Sequence, residues 1–180
     1  MRAFIMAIGL LALALFDCAL AVSEADRDAC DNPSRNPNVS IKACSAVIDS
    51  LDTGYVIAIA YFNRGIAYRE KGSFNNAIAD FTEAISLEPR YADAYFSRGI
   101  AYSDKRNYDS AIADFDHVIL LDPKDADAFV TRGMAYKEKG DYDHAIADFD
   151  EALRIDPNMK RAANAKKDAV VQLARRPAPK

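Results

Sequence analysis

Histidine and cysteine are scarce and tryptophan is absent in this chain of 180 residues. The two histidines, His117 and His144, stand alone, and neither has a second histidine at ligand spacing. That leaves little material for imidazole catalysis. Of the three cysteines, Cys18 falls in an apolar N-terminal run. The other two, Cys30 and Cys44, lack the close Cys-x-x-Cys spacing of thiol oxidoreductases. Two cysteines with no histidine nearby cannot supply the usual four zinc ligands either. There is no glycine-rich phosphate loop, and acidic text such as Asp148-Phe149-Asp150 lacks the glycine turn of a calcium loop. The net charge of −4 gives no overall pull toward nucleic acid. No catalytic residue, metal or cofactor is therefore assigned.

What the chain does have is a period. Gly65, Gly99 and Gly133 lie 34 residues apart, and the text around each repeats. With Ala58 as position one, the units run 58–91, 92–125 and 126–159. Alanine recurs at positions 1, 3, 10, 20 and 22, with Gly at 8, Tyr at 11, Ile at 21, Phe at 24 and Pro at 32. Arg at 7, Lys at 14 and Asp at 23 are also identical in all three units. A fixed period of this length means stacked copies of one small element rather than a single globular core. Each unit reads as two helices. The first carries Tyr61, Ile66, Ala67 and Tyr68 in unit one, and the second carries Ala77, Ile78, Phe81, Ala84 and Ile85 at helical spacing. Pro89, Pro123 and Pro157 mark the ends of the second helices, because proline disfavours helical backbone in the residue before it.

This arrangement closely resembles the tetratricopeptide repeat family. The family pattern of an aromatic at 4, Gly at 8, Tyr at 11, Ala at 20, an aromatic at 24, Ala at 27 and Pro at 32 is met by Tyr61, Gly65, Tyr68, Ala77, Phe81, Ala84 and Pro89, then again in units two and three. Departures are Arg64, Arg98 and Arg132 at position 7, Val118 at 27 and Arg106 in place of a turn glycine. The resemblance implies an all-α, right-handed solenoid of helix–turn–helix repeats that binds protein partners.

The flanks are read separately. Residues 1–21 have a short basic start, an apolar run and an Ala19-Leu20-Ala21 cleavage text, which predicts a secretory signal and a periplasmic or secreted protein. A lipid anchor at Cys18 would need small residues before it, where Phe16 and Asp17 stand. In an exported chain Cys30 and Cys44 are expected to form a disulfide, the alternative being two buried thiols. Residues 22–57 read as an N-terminal cap or degenerate leading repeat. Its second helix is expected at residues 40–52, since Ile41, Cys44, Val47 and Ile48 align with Ile78, Phe81, Ala84 and Ile85 at an offset of 37. Its first helix would be cut short by Pro33 and Pro37. Residues 160–174 predict a capping helix and 175–180 a disordered tail. Residues 160–180 hold seven basic residues against Asp168 alone, so that end is basic while the rest is acidic.

The resemblance also implies a site. First helices of such repeats line a concave groove through positions 2, 5, 9, 12 and 13. At 5 and 9 stand Phe62, Ile66, Phe96, Ile100, Val130 and Met134, an apolar strip flanked by charges that include Arg69, Glu70, Asp104, Lys137 and Glu138. The strip predicts a seat for an apolar peptide or helix of a partner. The competing reading is that packing within the chain covers it. Family members that clamp a peptide's terminal carboxylate carry Lys and Asn where this chain has Phe62 and Ile66. Free peptides ending in acidic carboxylates are therefore expected to show no saturable binding in calorimetry; micromolar affinity would overturn this. Arg64, Arg98 and Arg132 are expected to pair with Asp80, Asp114 and Asp148 as structural ion pairs. The rival is an arginine ladder reading acidic ligands. Weak self-association through exposed solenoid ends is the second functional reading.

Overall fold

A computed structural model describes residues 22–50 and 54–175. The expected leader, and the tail beyond Arg175, lie outside the described residues. The described residues form consecutive helices and no strand: α1 (Glu24–Asp31), α2 (Pro37–Ile48), α3 (Gly54–Glu70), α4 (Phe74–Leu87), α5 (Ala92–Asp104), α6 (Tyr108–Leu121), α7 (Ala126–Lys139), α8 (Tyr142–Ile155) and α9 (Lys160–Ala174). Each helix packs chiefly on its neighbours in sequence, as expected of a solenoid.

Why each unit folds as a hairpin is visible at two points. Between its helices the chain must turn through left-handed backbone, supplied by Gly72 (φ 73°) and Gly140 (φ 83°). Unit two makes the same turn with Arg106 (φ 60°), a conformation that crowds a side chain. Farther up, Gly99 on α5 meets the ring of Phe115 on α6. A Cβ placed there would lie 2.7 Å from the ring, and the same holds at Gly65 with Phe81 and Gly133 with Phe149. The missing side chain lets the two backbones close on a fully buried phenylalanine, and buried alanines fill the rest of each layer.

The leading hairpin follows the plan with a substitution. Cys30 of α1 and Cys44 of α2 are joined by a disulfide, with Cα atoms 4.7 Å apart. Cys44 takes the register of Phe81, so a covalent link replaces the glycine–phenylalanine contact. Pro37 lies beyond the end of the short first helix at Asp31. It opens α2 at the first turn, where its missing N–H has no partner to lose, behind an Asn36 cap. The second helix accordingly spans Pro37–Ile48, three residues earlier at its start than expected.

At the other end α9 behaves as the first helix of a fourth unit. Ala162 and Ala169, at positions 3 and 10, are buried against unit three. Lys167 stands at position 8, where the other units have glycine, and it is exposed. Val170, at the tyrosine position, is exposed as well.

Candidate functional site: the concave wall of the first helices

The arginines define the wall's register. Arg98 donates from Nε to Asp114 Oδ2 at 2.9 Å and from Nη2 to Oδ1 at 2.7 Å. Its third nitrogen, Nη1, reaches back to Thr82 Oγ1 of the preceding unit at 3.0 Å. Arg64 does the same with Asp80 and Ser45, and Arg132 with Asp148 and Asp116. The backward arm was not foreseen, because its acceptor changes from Ser to Thr to Asp. Each guanidinium also lies over the ring at position 4: Tyr61, Tyr95 or Phe129. The forked geometry satisfies both carboxylate oxygens and ties α3 to α4, α5 to α6 and α7 to α8. The hydrogen bond to Asp148 raises the Arg132 guanidinium above its ordinary range, while burial pushes the Asp148 carboxyl up despite its partner. These arginines are engaged within the scaffold.

Of the six apolar residues expected on the groove, Phe96, Ile100 and Met134 line a cleft between α5 and α7, and Phe62 and Ile66 are partly buried on α3. Phe62 packs on Phe81 and on Tyr91, with ring centroids 5.8 and 5.0 Å apart, and Phe96 meets Phe115 edge-on at 5.6 Å. Ile66, Ile100 and Met134 are partly buried beside them. Val130 is the correction. It is fully buried in a cluster with Phe129, Phe149 and the α9 alanines 162 and 169. Its short side chain stops within the helix layer where Phe62 and Phe96 extend past it, and α9 covers what remains. Lys137 is likewise engaged, donating to Asp168 of α9 at 2.9 Å, and this contact holds the Asp168 carboxyl below its usual range. Arg69 is partly buried on the α3 wall, next to Glu70, which accepts from Ser34 Oγ at 2.7 Å.

Between α5 and α7 the wall opens into a cleft of about 420 Å³. Phe96, Ile100, Met134, Ala135 and Tyr108 supply its apolar surface, and Asp104, Glu138 and Arg161 its charge. Tyr108 and Arg161 were missed from the sequence. An aromatic at position 17 recurs as Phe74, Tyr108 and Tyr142, which was a usable signal. Arg161 becomes legible only when α9 is aligned as a first helix, which puts it at groove-facing position 2. Its Nη2 lies 3.2 Å from Met134 Sδ.

Two family models match, one described as TPR repeat over residues 65–105 and one as Tetratricopeptide repeat over residues 98–175. The TPR domain of Arabidopsis OM64 is 30% identical, with a TM-score of 0.62, over 65% of this chain and 97% of that one. The chain belongs to the tetratricopeptide repeat family. MamA is 32% identical with a TM-score of 0.63, over 67% of this tetratricopeptide chain and 69% of its own. The second TPR domain of human RPAP3, solved in complex with the HSP70 peptide SGPTIEEVD, is 28% identical with a TM-score of 0.63, over 66% of this chain and 98% of that one. No curated protein matches the sequence. Tetratricopeptide domains are protein–protein interaction modules, and their stacked units create the concave surface such contacts use. Among the described residues no helix is long and apolar enough to cross a membrane.

Proposed function

We propose that this tetratricopeptide chain is a non-enzymatic interaction module that holds an apolar segment of a partner protein, as extended peptide or helix, in its concave groove. The open cleft between α5 and α7 carries this reading, since Phe96, Ile100 and Met134 leave apolar surface within it. Phe62, Ile66, Phe96, Ile100 and Met134 form the seat, and Arg69 borders it. Binding would bury apolar surface without rearranging the scaffold, which the arginine pairs hold in register. A photo-crosslinking residue placed at Ile100 in cells is expected to trap discrete protein bands, and one at Leu120, a residue 75% exposed on second helix α6, is expected to trap none. The reverse pattern would sink the proposal.

Self-association is the second reading, favoured by Val170 and Val171 exposed on the outer side of α9. We further propose an exported, periplasmic or secreted location. The Cys30–Cys44 bridge supports it, because structural disulfides persist in oxidising compartments. Sequencing the N-terminus of the cell-derived protein is expected to begin at Val22; an intact Met1 in the cytoplasmic fraction would count against export.

A further inference from the structure

The mouth of the cleft carries an electrostatic instruction. Asp104 ends α5 and Glu138 lies in the last turn of α7, and both carboxylates line the cleft. Three lysines stand close by in sequence, and each is turned elsewhere. Lys105 donates to Asn75 Oδ1, Lys137 to Asp168 and Lys139 to Asp109. Asp104 and Glu138 are therefore left exposed, with no ion-pair partner among the described residues. The C-terminal ends of α5 and α7 add partial negative charge at the same edge. Among the described residues the basic group lining the cleft is Arg161, which lies over Met134 and faces Asp127 at 3.9 Å.

We propose that the cleft selects a partner segment in which a large apolar side chain is accompanied, within a few residues, by lysine or arginine. The apolar side chain sits on Phe96, Ile100 and Met134. The cation reaches Asp104 and Glu138 at the helix ends. The preference is opposite in charge to the acidic peptide held by the RPAP3 domain. Complementary charge at a groove's rim sets which partner is accepted more than how tightly it is held. This inference rests on the groove reading above and adds the identity of the ligand's charged group.

The test is selection from a random phage-displayed peptide library on the immobilised full chain. Wild-type protein is expected to enrich peptides pairing an apolar residue with Lys or Arg. The strongest of them, made synthetically, should bind with an affinity that falls with added salt and drops roughly tenfold in the Asp104→Lys, Glu138→Lys double variant. Both side chains are exposed, so that variant should keep its fold, checked by circular dichroism. It should in turn enrich acidic peptides. Enrichment of acidic peptides by wild type, or of apolar peptides the double variant binds equally well, overturns the charge preference and leaves the groove standing. No enrichment at all, or binding indifferent to Ile100→Arg, removes the groove reading too. A concentration-dependent rise in mass by light scattering, abolished by the double variant, would assign the cleft to a second copy and overturn the foreign partner.

Discussion

Replacing Arg132 by methionine is expected to destabilise the protein by about 3–5 kcal/mol in chemical denaturation at neutral pH. The loss comes less from the ion pair than from what it leaves behind. Asp148 has a side chain only 8% exposed, and its bidentate partner is the guanidinium. Without it the buried charge has neither counter-ion nor fork of donors. Burial already pushes the Asp148 carboxyl up with Arg132 in place, and the variant removes the hydrogen bond and charge that chiefly oppose that rise. A folded pKa above the unfolded value favours the protonated form. The deficit is therefore expected to be full above the raised folded pKa and to shrink as pH falls toward the ordinary carboxylate range near 4. Adding Asp148→Leu should restore most of the stability, giving a coupling of about 2–3 kcal/mol in the double-mutant cycle. Additive losses would show that the pair is not the unit that holds α7 to α8.

The second expectation reverses sign with its background. Phe115→Ala should cost about 3–5 kcal/mol, because the ring is fully buried between α5 and α6 and the helices cannot collapse onto the space. Gly99→Ala alone should also destabilise, by about 1–3 kcal/mol, since the new Cβ would stand 2.7 Å from that ring. Alanine is otherwise the better helix residue by roughly 1 kcal/mol. Once Phe115 is gone, Gly99→Ala should therefore stabilise. Urea midpoints of the four proteins measure this directly. Gly99→Ala destabilising in both backgrounds would mean that the glycine serves something other than room for the ring.

Both experiments probe positions identical in all three units, and such positions are where the sequence was most readable. Gly at 8, Phe at 24, Arg at 7 and Asp at 23 recur because one local geometry recurs, so their roles follow from pattern alone. Legibility failed where a contact depends on an element that is not repeated. Val130 shares its position with Phe62 and Phe96, yet α9 encloses it, and nothing in unit three announces where α9 will lie. Lys137 was read as a groove charge for the same reason, its partner Asp168 being on α9. That Pro37 opens the next helix went unread because proline both ends and begins helices, and only the Asn36 cap decides between the two. The backward arms to Ser45, Thr82 and Asp116 were hidden because the acceptor chemistry differs while the geometry stays constant. The lysine of α9 in the arginine position, Lys166, keeps this arm to Asp150.

On α9 the glycine of α3, α5 and α7 is replaced by Lys167. A hairpin partner could close on α9 only through the lane that glycine leaves clear on α3, α5 and α7, and Lys167 fills that lane with a long, hydrated chain. Lys167→Gly, followed by a copy of α6, is therefore the natural first move for anyone wishing to seat a designed second helix against α9.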